Sequence, residues 1–171
     1  MTNKYISFDI ETTGLFAWYG CRITCICAKD SDGNIYETAG DDEKQIIQGF
    51  VEFVKERPEH FLLSANGIEF DVPFIMARGY LSCLKLIDTQ ILIRRRHFDL
   101  MNLTSKKISL QNLSVLYGCK GKNGNWKDAI VFFGQKKWDE LIKYCMNDVE
   151  VTEKVYLKWI EIKDLEEKKN D

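Results

Sequence analysis

Hydrophobic positions near the N-terminus recur at the two-residue spacing of strands. Lys4 to Ile10 is β-branched and aromatic, Arg22 to Lys29 alternates, and Asp32-Gly33 supplies a turn into a third strand over Asn34 to Thr38. The spacing then changes. Asp41 or Asp42 caps a helix to about Glu56, in which Ile46, Ile47, Phe50, Val51 and Val54 form an apolar stripe that Pro58 ends. Phe61 to Ala65, bounded by Asn66-Gly67, reads as a buried strand. A helix is expected from Asp71, with Pro73 in its first turn, to about Tyr80. Ser109 caps another over Leu110 to Tyr117, Gly118 closes it, and Cys119 to Asn125 reads as an exposed loop. Helices follow over Lys136 to Met146 and, continuing or restarting, through Asp148 to about Ile162. There is no internal repeat. Strands first and helices later, with a crossover helix between, predict one α/β domain over residues 1–163 and a charged, frayed tail over 164–171.

Composition narrows the class. With 171 residues and 45% hydrophobic content, the chain is long enough for one core and too apolar for intrinsic disorder. No stretch approaches the roughly 20 apolar residues of a membrane span, and no signal-peptide core precedes the first strand. A cytoplasmic protein without a membrane anchor is the expectation. Six cysteines in that setting imply reduced thiols rather than disulfides. Cys21, Cys25 and Cys27 lack paired CxxC spacing. Cys25 and Cys27 share a strand face and read as small packing residues.

The net charge of −2 argues against a nucleic-acid partner if taken as a mean. Its distribution argues otherwise. Residues 94–137 hold ten basic and two acidic side chains, a local charge of +8, so the rest of the chain carries −10. Solvated faces and loops are the plainer account of such a run taken alone.

Candidate chemistry lies in three acidic pieces. Asp9 and Glu11, two apart on the first strand, present their carboxylates to one face at its C-terminal end, where ligand sites of open α/β sheets lie. Paired oxygens of this kind suit Mg²⁺ or Mn²⁺, although two exposed strand-end acids would look the same. Asp71 in Asn66-Gly67-Ile68-Glu69-Phe70-Asp71-Val72-Pro73 stands at a loop-to-helix junction, and a helix cap would explain it if it stood alone. Tyr144 and Asp148 are four apart on a helix and project from one side. A core tyrosine beside a surface acid is the plainer account of that pair.

In order and spacing, Asp9-x-Glu11, Asn66-x-x-x-Phe70-Asp71-x-Pro73 and Tyr144-x-x-x-Asp148 together resemble the DEDD superfamily of 3′–5′ exonucleases. They resemble its tyrosine branch, which includes the proofreading domains of family-B DNA polymerases. The histidine branch would need His five residues before Asp148, where Lys143 stands. The resemblance implies a ribonuclease-H-like fold, a mixed five-stranded sheet flanked by helices. It implies that Asp9, Glu11, Asp71 and Asp148 hold two divalent cations, Mg²⁺ or Mn²⁺, and that Tyr144 orients the attacking water. The implied substrate-binding residues are Thr12, Thr13, Gly14, Leu15 and Asn66; by charge, Arg95 and Lys107 of the basic stretch are candidates for tracking the backbone of a single strand. Phe16, Trp18 and Tyr19 either stack bases or fold back on the core. Asp99 resembles a further family acid in a supporting role.

The resulting expectation is a metal-dependent 3′–5′ exonuclease acting on single-stranded 3′ ends, DNA ahead of RNA, alone or with a polymerase or repair partner in trans. An exoribonuclease with the same site, a non-catalytic nucleic-acid-binding module and an interaction domain with solvated acids remain the alternatives.

Overall fold

The computed structural model describes residues 4–18, 20–82, 86–105, 108–121 and 126–170. Tyr19, Cys83, Lys106, Lys107 and Lys122 fall outside them, so the expectation for Lys107 lies outside the described residues. Five strands form one mixed sheet: β1 (Tyr5–Thr12), β2 (Ile23–Asp30), β3 (Ile35–Ala39), β4 (Phe61–Ser64) and β5 (His97–Asp99), in the order β3-β2-β1-β4-β5. The β1–β2 and β2–β3 pairs are antiparallel, and β1–β4 and β4–β5 are parallel. Parallel neighbours need a crossover. Helix α1 (Glu43–Lys55) carries the chain to β4, and α2 (Asp71–Leu81) with α3 (Leu86–Arg94) carries it to β5. After a 3₁₀ turn over Leu100–Leu103 come α4 (Leu110–Leu116), α5 (Trp126–Gly134) and α6 (Trp138–Asn170).

The sheet separates two packed layers. Ile6, Phe8 and Ile10 of β1, with Ile26 and Ala28 of β2, meet the α1 stripe Ile46, Ile47, Phe50, Val51 and Val54 in the main core. The amide of Gln45 donates to the Asp42 side chain, 3.0 Å, which settles the cap between the two candidates. On the opposite face lies α6. Its buried Leu141, Tyr144, Cys145, Asp148, Val149, Thr152, Val155 and Tyr156 recur every three or four residues. It is tied to the sheet by polar contacts. Ser7 donates to the Val149 carbonyl at 3.0 Å, the Tyr5 hydroxyl to Glu153 at 2.9 Å, and Lys29 pairs with Glu153 at 2.7 Å.

Four elements differ from expectation. Strand β5 has only three residues, too few for a period, and α3 and α5 lie where no stripe stood out. Helix α6 is continuous: it has no break before Asp148, and it holds the charged stretch to Asn170 as exposed helix rather than a frayed tail. Pairs such as Lys154–Glu150 at 3.2 Å and Lys158–Glu161 at 2.6 Å support its solvent side. No helix among the described residues is long and apolar enough to cross a membrane.

Candidate active site

The β1–β2 register decides what surrounds the first two acids. Asp9 stands opposite Cys27 and Glu11 opposite Cys25, and the pairing shifts between Glu11 and Thr12. That irregularity turns the chain out of the ladder just after the carboxylates. The turn is pinned locally. Thr12 Oγ1 donates to the Gly14 carbonyl at 2.7 Å, and the Arg22 amide donates to Thr13 Oγ1 at 2.9 Å. A Cβ on Gly14 would lie 2.5 Å from Cys21 Sγ, so that thiol would have to rotate aside.

Asp71 reaches the same place from the other side of β1. It is the first residue of α2, and Phe70 occupies the cap position with no side-chain cap bond, so Asp71 is not a helix cap. Its Oδ1 accepts instead from the Ile10 amide at 3.2 Å. Burial pushes the Asp71 carboxyl up to about 7, aided by the charges of Asp99 and Asp148 and opposed by backbone hydrogen bonds. Asp148 is buried on the α6 stripe one turn beyond the buried Tyr144. Asp9 and Glu11 thus share the end of the central strand with Asp71, which feels the charge of Asp148, and Tyr144 stands one turn before Asp148 on α6.

Asp99 stays in a supporting place. Its carboxylate accepts from the amides of Asn66 at 2.8 Å, Ile68 at 3.0 Å and Met101 at 2.9 Å. Asn66 adopts a left-handed φ of 76°, and Asp99 holds that bend through its N–H. Beneath it, Ser64 Oγ lies 2.7 Å from His97 Nε2 and accepts from the Gly67 amide at 3.1 Å. Burial drives His97 down to about 4. These contacts fix the loop that delivers Asp71.

A cavity of about 350 Å³ opens beside Glu11, lined by Ile10, Thr12, Gly14, Leu15, Phe70 and Ile130. Leu15 is 72% exposed at its rim, and Phe16 and Trp18 are 54% and 68% exposed, so these aromatics do not fold back on the core. Arg95 does not join the acids. Its guanidinium donates to the carbonyls of Pro58 and, at 3.1 Å, Val54, closing the end of α1. Arg96 stacks over Phe61 at 4.9 Å, so two of the arginines from the basic stretch serve local packing.

Cys145, which the motif spacing passes over, is part of this place. Its Sγ donates to the Asp9 carbonyl at 3.3 Å and lies 3.8 Å from Asp9 Oδ2. The ligand atoms of Asp9, Glu11 and Cys145 all fall within 4.8 Å of one another. The signal was its position on the Leu141, Tyr144, Asp148 stripe. The four-carboxylate set is hard and oxygen-rich, and Asp71 is strained by burial and like charge. Both features fit divalent cations, which neutralise such groups.

The comparisons with known proteins bear on this arrangement. A model of the RNase_H superfamily matches residues 6–120. The chain belongs to that superfamily. The matched stretch includes Asp9, Glu11 and Asp71 and stops short of α6. The chain is also similar to a DNA polymerase of Thermococcus litoralis, 24% identical over 186 residues, covering 87% of this chain and 11% of that protein. A DNA polymerase of Thermococcus aggregans is 25% identical over 190 residues, covering 87% and 10%. The chain therefore spans about a tenth of the length of these curated relatives. Among solved structures, the family B DNA polymerase of the hyperthermophilic archaeon Pyrobaculum calidifontis superposes with a TM-score of 0.79 at 17% identity, over 94% of this chain and 25% of that one. At that identity the likeness concerns the fold, a ribonuclease-H-like mixed sheet with flanking helices. Superfamily membership supports a nuclease-type domain, and nucleases of this superfamily usually use divalent metals.

Proposed function

We propose that the chain is a metal-dependent 3′–5′ exonuclease of the DEDD tyrosine branch that shortens single-stranded DNA from its 3′ end. One observation carries the reading: Asp71 accepts from the Ile10 amide between Asp9 and Glu11 and feels the charge of Asp148, beside an apolar cavity open to solvent. Bound there, a pair of Mg²⁺ or Mn²⁺ ions supplies a hydroxide-like nucleophile and offsets charge on the attacking and leaving oxygens. Asp9 and Glu11 hold that charge from β1, Asp71 from α2 and Asp148 from α6. Tyr144, one turn from Asp148, orients the attacking water by its phenol. The cavity between Leu15 and Phe70 accepts the terminal base, and the exposed faces of Phe16 and Trp18, 6.3 Å apart, offer stacking surfaces for the strand. DNA is favoured over RNA because the curated relatives are DNA polymerases.

The test is a set of 5′-labelled and 3′-labelled single strands, DNA and RNA in parallel, incubated with Mg²⁺, Mn²⁺ or a chelator. The expected result is stepwise loss from the 3′ end of DNA with metal and none with chelator. Intact strands with either metal would overturn the enzymatic reading, and equal cleavage of RNA would overturn the DNA preference.

A further inference from the structure

We infer that Cys25, Cys27 and Cys145 form a binding site for a thiophilic divalent cation, zinc above all, with Asp9 as its fourth donor. The strand period places Cys25 and Cys27 on one face of β2, with their sulfurs 3.7 Å apart. Helix α6 lays Cys145 over them, so that all three Sγ atoms lie within 4.8 Å of one another. A tetrahedral ion 2.3 Å from each sulfur requires S···S edges of about 3.8 Å. The Cys25–Cys27 separation already has that length. Asp9 Oδ2 lies 3.8 Å from Cys145 Sγ, and completing the set needs its side chain to swing toward Cys25 and Cys27.

Packing alone explains the cluster less well. The three thiols sit among Ala129, Leu141 and Val149, where a methyl group would fill space equally, yet their sulfurs turn toward one another rather than apart. The donor chemistry also differs from that of the neighbouring acids. Thiolates prefer zinc, and carboxylates prefer Mg²⁺ or Mn²⁺. All three thiols are fully buried, and the half-buried Asp9 beside Cys145 offers the way in from the acidic cleft. Each thiol releases its proton to the buffer as the ion sheds water and takes its place. The thiols stand whether or not the chain cleaves nucleic acid, whereas Asp9 is shared with the cation pair proposed above.

Cobalt titration of the reduced, metal-free protein tests the assignment directly. The expected spectrum has a thiolate-to-cobalt charge-transfer band and intense visible bands of a tetrahedral site. It should saturate at one ion per chain, bleach with one equivalent of Zn²⁺ and resist excess Mg²⁺. Cys27→Ala, which leaves every carboxylate in place, should lose the charge-transfer band and bind at least about 100-fold more weakly. X-ray absorption of the zinc-loaded wild type needs no variant and should give three sulfurs at about 2.3 Å with one lighter donor. Absence of the charge-transfer band in the wild type, or a zinc shell without sulfur, would overturn the site. An unchanged visible spectrum in Asp9→Asn would overturn Asp9 as the fourth donor.

Discussion

Alternate residues of β1 go to two different environments. Ile6, Phe8 and Ile10 enter a dry core against α1, where shape and apolar area decide the fit. Ser7, Asp9 and Glu11 face α6 across the same strand, among Cys25, Cys27, Lys29, Cys145 and Glu153. Both layers are buried, but their chemistry is opposite. On the α1 side burial stabilises what it covers. On the α6 side it gathers acids and lifts the Asp71 carboxyl to about 7, an arrangement poor for stability and good for holding cations. One strand thus separates the apolar packing face from the face that gathers the acids.

If that division holds, substitutions on the two faces should fail in different assays. Asp9→Asn should lower cleavage by on the order of 10⁴-fold, roughly 5.5 kcal/mol, while thermal unfolding stays within a few degrees of wild type. A variant that instead unfolds early would show that the acid face also holds the fold. Phe8→Ala, on the other face, should cost about 3–5 kcal/mol of stability through the cavity it leaves. Denaturant titration measures that loss, and below the transition its metal affinity should match wild type.

The pH dependence separates the faces further. His97 packs its ring on Phe8 at 5.7 Å and is driven down to about 4 by burial. Its folded value lies below the ordinary 6.5 or so, so the unfolded chain takes up the proton first. Stability is therefore complete above about pH 6.5 and falls as pH drops toward 4, by about 3 kcal/mol. His97→Gln should flatten that slope in denaturant midpoints taken between pH 7 and 4.5. Asp71 works in the opposite direction. Its folded value lies above the ordinary carboxylate value, so ionisation penalises the metal-free fold as pH rises from about 4 through 7. Asp71→Asn should stabilise the metal-free protein at pH 8 by roughly 1–2 kcal/mol and abolish the rise in melting temperature on adding Mn²⁺. A melting temperature that still climbs with Mn²⁺ would remove Asp71 from the cation site.

Much of this arrangement was legible in local spacing. A period of two put Asp9 and Glu11 on one face, and a period of 3.6 put Tyr144 beside Asp148. The main core stripe of α1 and its end at Pro58 were equally plain. Asp71 was visible as a residue but not in its role. A cap and an acid accepting from the Ile10 amide look identical in sequence, because the difference lies in which strand the helix start abuts. Strand β5 escaped notice for the same reason. Three residues form a strand only because β4 offers them partners, Leu62 to His97 and Ser64 to Asp99.

The residues themselves therefore determined which groups share a face, since side-chain direction follows from backbone period within a single element. Which faces meet was settled in three dimensions. Arg95, set in a basic run, closes the end of α1 because that helix finishes beside it. Cys145 meets Asp9, Cys25 and Cys27 because α6 crosses β1 and β2 at that turn. Such contacts depend on the register and docking of segments far apart in the chain, and no local period encodes them.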